Sequence, residues 1–146
     1  GGSNDLGIIF DYVVGATSVT KRIDFNGAAR GSNPVGNLKE ASNGNLYGTV
    51  PDGGTNGDGV LYEFDPTSGT FVKEMDFNSA VSGELPNGSL LVASNGLLYG
   101  MTALGGINDD GVLYSYDYSL STYTKKIDFD AMLMLGSDDT LNGGWY

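Results

Sequence analysis

Residues 43–77 read NGNLYGTVPDGGTNGDGVLYEFDPTSGTFVKEMDF, and residues 95–129 read NGLLYGMTALGGINDDGVLYSYDYSLSTYTKKIDF. These stretches begin 52 positions apart and align without a gap. The same period extends to the start of the chain, since residues 1–52 and 53–104 are identical at 20 of 52 positions. Residues 105–130 form a partial third copy, which is identical to residues 53–78 at 13 of 26 positions. Periods of about 20–50 residues are typical of solenoids, propellers and arrays, so the sequence predicts a repeat architecture.

Each unit contains four short runs of apolar residues separated by turn signals. The runs are 37–42, 46–50, 59–65 and 70–77 in the first full copy, and 89–94, 97–103, 111–117 and 122–129 in the second. They are rich in β-branched and aromatic residues and show no sustained helical period of about 3.6 residues. Asn-Gly pairs between the first two runs predict tight hairpins, because a type I′ turn needs positive φ at both central positions. We therefore expect an all-β fold of four-stranded antiparallel units.

The fourth run of each unit is amphipathic and holds a recurring lysine. By strand alternation, one face carries Phe71, Lys73, Met75 and Phe77, and the other carries Val72, Glu74 and Asp76. The first run at 89–94, which reads S-L-L-V-A-S, is small and apolar, which suits a crowded centre. A small inner strand and a half-exposed outer strand describe a β-propeller blade. We expect Lys73, like Lys21 and Lys125, to lie at an exposed sheet edge, where lysine discourages pairing between molecules.

The chain is predicted to form one repeat domain, 1–146, with incomplete units at both ends. The predicted parts are a half-blade 1–26, a blade 37–78, a blade 89–130 and a half-blade 139–146. Propellers usually contain about four to eight blades, so about three units suggest further copies. Two chains could close a ring of about six blades, the chain could be an excerpt of a longer array, or copies could stack openly into a filament.

The repeated motifs also resemble a known family. They read N-G-x-L-Y-G, then G-G-x-N-x-D-G-V-L-Y-x-[FY]-D, then K-x-[IM]-D-F-[ND]. Over nearly the whole chain this pattern resembles the Gloeo_Verruco (GloVer) tandem repeat. The resemblance implies a bacterial protein that is secreted or held at the cell surface. It assigns no catalytic residues to this chain. In outline the unit is also similar to a kelch propeller blade, although Phe71 or Tyr123 stands where kelch has tryptophan.

The composition excludes several classes of function. The chain has 146 residues, with 18 acidic and 7 basic side chains, for a net charge of −11. Such a charge repels phosphate, so we expect no nucleic-acid partner. No apolar run reaches the length of about 18 residues needed for membrane insertion. Because the chain lacks cysteine and histidine, it cannot form disulfides, the usual zinc sites or Ser-His-Asp nucleophiles.

The loop between the second and third runs offers the only metal candidates. Asn56, Asp58, Asn108 and Asp110 alternate along its two full copies. Their oxygens are hard ligands of the kind that calcium prefers. The loop lacks the later bidentate glutamate of an EF-hand. In the N-terminal copy of the loop, Asn4-Asp5-Leu6, a leucine stands where the other two copies have aspartate. The alternative is turn chemistry, in which Asn and Asp bond their own backbone. We expect no other cofactor.

Two further sets of residues recur once per unit. Asp24, Asp76 and Asp128 could serve acid–base chemistry, as in glycoside hydrolysis, but a residue present in every repeat more often serves the repeat itself. We expect them to bond turn amides. The recurring aromatics are Tyr47, Tyr99 and Tyr146, and Phe10, Tyr62 and Tyr114. We expect them to pack between blades, with stacking on a sugar ring as the alternative.

The sequence therefore favours a non-catalytic extracellular or cell-surface module that serves as a binding or scaffold propeller. The alternative is a structural subunit that self-assembles, as a ring or filament, through its incomplete terminal blades, and Trp145 would pack at that junction. A glycan-active enzyme is least favoured. Expected partners are a second copy of the chain, in a homo-oligomer, or the rest of a longer array, followed by a glycan or a surface protein. Binding should use the long loops 26–36 and 78–88, the first of which holds an unrepeated residue, Arg30.

Overall fold

The computed structural model describes residues 1–130, which contain ten strands and no helix. The strands are β1 Ile8–Asp11, β2 Thr20–Asp24, β3 Lys39–Glu40, β4 Leu46–Val50, β5 Val60–Phe64, β6 Phe71–Asp76, β7 Leu91–Val92, β8 Leu98–Met101, β9 Val112–Asp117 and β10 Thr122–Asp128. All strand pairs are antiparallel. The prediction of an all-β antiparallel fold is confirmed. The predicted half-blade 139–146, with Trp145 and Tyr146, lies outside the described residues.

The strands form three sheets in which neighbours in sequence are neighbours in space. Sheet 1 contains β1 and β2, sheet 2 has the order β3-β4-β5-β6, and sheet 3 has the order β7-β8-β9-β10. Tight turns join the inner strands, but the predicted type I′ turn is not formed: the Gly44 N–H donates to the Ala41 carbonyl at 3.0 Å, and only Gly44 of the Asn43-Gly44 pair has positive φ. In the described part of the chain, no helix is long and apolar enough to cross a membrane.

The inner strands β3 and β7 are only two residues long, shorter than the six-residue runs predicted for them. The residues before them bond to the neighbouring repeat instead of extending the ladder. The Asn37 N–H donates to Ser89 Oγ at 2.9 Å, and a Cβ on Gly36 would lie 3.1 Å from the Gly88 carbonyl oxygen. The inner edges of sheets 2 and 3 therefore converge, because glycine permits this close approach.

Each outer strand carries a β-bulge that the sequence pattern did not indicate. Leu61 pairs with Met75 and Tyr62 pairs with Lys73, which leaves Glu74 as the extra residue. Equivalent register shifts occur in β1–β2 and β9–β10. A bulge places two residues opposite one and resets the alternation of side chains. The prediction that Lys73 and Asp76 point to opposite faces is therefore wrong, since Lys73 Nζ lies 2.8 Å from Asp76 Oδ2.

The sheets pack face to face through two apolar cores. The core between sheets 1 and 2 contains Ile9, Ile23, Phe25, Val50, Val60, Tyr62 and Phe64. The core between sheets 2 and 3 contains Ala41, Tyr47, Leu61, Phe77, Leu90, Leu98, Val112, Tyr114 and Tyr116. Neighbouring residues of β5 thus enter different cores, as strand alternation requires. We call the face that carries Tyr62 and its equivalents the front face, and the face that carries Phe77 and its equivalents the back face.

The two cores are the same interface built twice, 52 residues apart. Phe25 meets Tyr62 edge-on with ring centroids 5.5 Å apart, and Phe77 meets Tyr114 edge-on at 5.4 Å. Tyr62 stacks on Phe71 at 5.0 Å, and Tyr114 stacks on Tyr123 at 5.3 Å. Edge-to-face and offset-stacked rings are the favoured aromatic geometries. Each back face therefore receives the front face of the next sheet in a fixed manner.

A glycine beneath each central tyrosine sets how closely the inner strands approach the ring. A Cβ on Gly48 would lie 2.5 Å from Tyr62 Oη and 2.7 Å from its Cζ. We expect Gly48→Ala to lower the free energy of unfolding by about 1–3 kcal/mol, because overpacking displaces the ring. Urea denaturation measures the change. Gly88→Ala is the control, since no atom lies within 4 Å of its Cβ position, and equal losses in both variants would contradict the packing argument.

Candidate functional site

The recurring aspartates lie at the ends of the outer strands, where each binds the Gly-Gly loop of its own repeat. Asp76 accepts hydrogen bonds from the backbone N–H of Thr55 at 2.9 Å and from its hydroxyl at 2.7 Å. Asp24 accepts from the Ser3 N–H at 2.9 Å, and Asp128 accepts from the Ile107 N–H at 3.0 Å. The expectation that these carboxylates bond turn amides matches the contacts seen in all three repeats.

The recurring lysines complete the same arrangement. Lys73 Nζ lies 2.8 Å from Asp76 Oδ2, and Lys125 Nζ lies 2.8 Å from Asp128 Oδ2. The bulge described above brings the lysine and the aspartate to one face, so these lysines are ion-paired within their own strand. We call each set of aspartate, lysine and loop amide the Asp–Lys clasp; the three clasps hold Asp24 and Lys21, Asp76 and Lys73, and Asp128 and Lys125.

The Gly-Gly pair is required by the clasp and by the neighbouring repeat. A Cβ on Gly54, whose φ is +78°, would lie closer than 3.0 Å to Asp76 Oδ1. The Gly54 N–H donates to the Gly27 carbonyl of the preceding repeat at 3.0 Å. A Cβ on Gly53 would lie 2.5 Å from that same carbonyl oxygen. Only glycine fits positions where the backbone approaches a carboxylate on one side and another loop on the other.

The clasp keeps its carboxylates ionised. Hydrogen bonds from Lys21 and Lys125, followed by those from loop amides, lower the pKa of Asp24 and Asp128. For Asp76, burial raises the pKa, but the hydrogen bonds from Lys73 and Thr55 together outweigh burial, so the net shift is downward. A general acid in glycoside hydrolysis needs a raised pKa. The environment of the clasp shifts these groups in the opposite direction.

The calcium candidates Asn56, Asn108 and Asp58 bond to backbone groups of the adjacent outer strand and loop. The Asn56 amide donates to the Phe77 carbonyl at 2.6 Å, and the Asn108 amide donates to that of Phe129 at 3.0 Å. Asp58 accepts from the Ser79 N–H at 2.7 Å. Asp110 lies in the wall of a groove on the back face of sheet 3. Within residues 1–130, no three His, Cys, Asp or Glu side chains are grouped to hold a metal ion.

These contacts differ from the predicted turn chemistry, because the asparagine amides donate to carbonyl oxygens 21 residues later and not to their own turn. The equivalent Asn4 amide also donates to the Phe25 carbonyl, at 3.0 Å. The first copy therefore keeps the bond although its loop sequence differs. Calcium binding at Asn56, Asp58, Asn108 and Asp110 stays an untested alternative to this structural role.

Most of the recurring aromatics are used in packing between sheets. Tyr47, Tyr62 and Tyr114 are buried, which leaves no open ring face for a sugar. Tyr47 also lies against Tyr118, with ring centroids 5.4 Å apart. Phe10 is different, because it lies on the front face of sheet 1 and is 52% exposed.

A polar cluster between sheets 2 and 3 was not found from the sequence. The Tyr47 hydroxyl donates to Glu63, and the Tyr116 hydroxyl donates to Glu74 across the interface. Burial, and then these hydrogen bonds, raise the pKa of both tyrosines. The positions of Glu63 and Glu74 are occupied by Asp11 and Arg22 in sheet 1, which form an ion pair, and by Ser115 and Lys126 in sheet 3. Changing charge at repeated positions is the signal that could have identified this cluster.

Arg30, expected in a binding loop, is instead tied into the interface between sheets 1 and 2. Its guanidinium donates to the Asp24 carbonyl at 3.1 Å and lies 5.6 Å from the centre of the Phe71 ring. The second of these contacts is a cation–π geometry. Arg30 therefore fixes one repeat to the next.

One groove lies on an open face of the stack, and a smaller cavity lies between sheets 1 and 2. The larger, about 520 Å³, is a groove on the back face of sheet 3 lined by Leu91, Tyr99, Met101, Leu113 and Phe129, among others. The smaller, about 270 Å³, lies beside β1 and is lined by Ile8, Phe10, Pro34, Leu38 and Tyr62, among others. The larger groove is markedly apolar, so it suits a hydrophobic partner.

A family model described as the Gloeobacter/Verrucomicrobia repeat matches residues 1–142. Searches of curated proteins and of solved structures found no match.

The ionised clasps predict a specific dependence of stability on pH. A carboxylate whose folded pKa is depressed stabilises the protein above its unfolded pKa of about 3.9, and this stabilisation is lost as pH falls through the folded pKa. We expect the free energy of unfolding to fall below about pH 4 and the fall to be shallower in Asp76→Asn. Chemical denaturation at a series of pH values measures it. An unchanged slope in Asp76→Asn would refute the argument.

The amide contacts of Asn56 and Asn108 predict that metal removal has no effect on stability. We expect the same melting temperature in EDTA and in calcium chloride, because the loop is held by hydrogen bonds to Phe77 and Phe129. Calorimetric titration with calcium should give no binding heat. A melting temperature that drops in EDTA and recovers with calcium would instead assign the metal to the loop.

Proposed function

The chain belongs to the Gloeobacter/Verrucomicrobia repeat family, and on that premise we propose that it is a non-catalytic binding or scaffold module with propeller-like blades. Its proposed location is extracellular or at the cell surface. The observation that carries the proposal is the sheet-to-sheet interface, which is repeated with ring distances of 5.5 and 5.4 Å. Because the same interface recurs, each repeat holds the next repeat in the same relative position.

The propeller arrangement is supported by the difference between inner and outer strands. The inner strands β3 and β7 are short and converge through the contact between Asn37 and Ser89. The outer strands β6 and β10 have six and seven residues. Strands that are crowded inside and longer outside suit sheets that radiate from a centre.

A non-catalytic role is supported by how the recurring acids are used. Each clasp aspartate accepts hydrogen bonds from a loop and a lysine of its own repeat. Their lowered pKa favours hydrogen-bond acceptors over proton donors. A glycan-active enzyme is therefore the less favoured function.

The proposed binding surface is the side of the stack on which the long loops 26–36 and 78–88 lie. The loop 26–36 is closed by paired bonds between Gly27 and Gly31, at 3.0 and 2.7 Å, and the Ser32 N–H donates to the Asp52 carbonyl at 2.8 Å. The loop 78–88 is tied in the same way, where the Glu84 N–H donates to the Leu104 carbonyl at 2.8 Å. Loops fixed at their bases on a rigid scaffold are suited to recognition, and a glycan or a surface protein is the proposed partner.

A glycan array tests the binding function. We expect the labelled chain to bind at least one class of bacterial surface glycan, and Val81→Lys to weaken that binding because Val81 is 65% exposed on the loop 78–88. Leu120→Lys, in the turn between β9 and β10, is the matched control and should bind like the wild type. If the labelled chain binds none of the glycans on the array, a glycan is excluded as the partner. Turnover of chromogenic glycosides that is lost in Asp76→Asn would overturn the non-catalytic assignment.

A further inference from the structure

We propose that the back face of sheet 3 binds the front face of sheet 1 of a second copy, so that copies associate head to tail. The inference rests on the repeat scaffold proposed above, because it extends the interface that already joins the sheets within one chain. Two copies would then close on each other or continue into a longer assembly, depending on the rotation per repeat.

The back face of sheet 3 has the features of a docking surface. Its groove of about 520 Å³ lies over Leu113 and Phe129. One repeat earlier, the equivalent residues Leu61 and Phe77 are fully buried under the front face of sheet 3, where Tyr114 meets Phe77. Ile127 is 50% exposed, whereas its equivalent, Met75, packs against the core.

The front face of sheet 1 carries the matching groups. Phe10 and Tyr12 occupy the positions of Tyr62 and Phe64 in sheet 2, and Val19 occupies that of Phe71. Phe10 and Tyr12 are 52% and 55% exposed, whereas Tyr62 and Phe64 are buried. Within residues 1–130, no other sheet has an exposed front face, because those of sheets 2 and 3 form the two cores. Phe10 would therefore meet Phe129 as Tyr62 meets Phe25.

The polar rim of the junction is compatible with this contact. At the internal interface the Tyr116 hydroxyl donates to Glu74. At the proposed junction the equivalent groups are Tyr12 and Lys126. The tyrosine oxygen can accept a hydrogen bond from the lysine ammonium. Lysine here also avoids placing another acid between two copies that each carry a net charge of −11.

Sedimentation velocity on the full 146-residue chain tests the proposal, with one lysine placed on each face. We expect the sedimentation coefficient of the wild type to rise with protein concentration because copies associate. Phe10→Lys and Ile127→Lys should each remain monomeric. An equimolar mixture of these two variants should form dimers and nothing larger, because it contains one intact front face and one intact back face per pair. Leu120→Lys is the control and should associate like the wild type. Far-UV circular dichroism of each variant checks that the sheets are retained.

The effect of salt on the association of copies gives a second test. Since both copies are acidic, sodium chloride should strengthen association by screening their repulsion. A wild type that is monomeric up to about 1 mM, a mixture that stays monomeric, or loss of association in only one of the two variants would each overturn the proposal. The monomeric Phe10→Lys variant separates this inference from the proposed function, because glycan binding through the loops does not need the junction.

Discussion

The close approach of backbone at the Gly-Gly pair is the constraint on which the structure depends. Gly54 lies against the carboxylate of Asp76 in its own repeat, while Gly53 and Gly54 lie against the carbonyl of Gly27 in the preceding one. A side chain at either position would separate these groups. The pair therefore ties a loop to its outer strand and one repeat to the next.

This constraint explains why the aromatic residues form a constant interface. With the loops fixed, a phenylalanine of the back face meets a tyrosine of the next front face edge-on at both internal interfaces. Each of the three described sheets carries apolar residues on both faces, so each buries more apolar surface when it has a neighbour on both sides. The first and last sheets of the described residues therefore keep exposed apolar faces, and these faces support the proposed contact between copies.

The sequence alone predicted much of the local structure but little of the side-chain chemistry. The strands, their antiparallel order and the role of the recurring aspartates followed from periodicity and turn residues. The pairing of Lys73 with Asp76 did not, because a β-bulge changes which residues share a face, and no residue type marks a bulge reliably. The position of Arg30 over Phe71 was also missed, since it depends on the distance between two repeats.

The sequence by itself determined the 52-residue unit, its four β-strands and the glycines at its turns, because periodicity and positive φ are properties of neighbouring residues. Only the tertiary structure decided which groups meet. It joined Glu74 to Tyr116 across 42 residues, and it left Phe10 and Ile127 exposed at opposite ends of the stack. These outcomes depend on packing between sheets, which a local pattern does not encode.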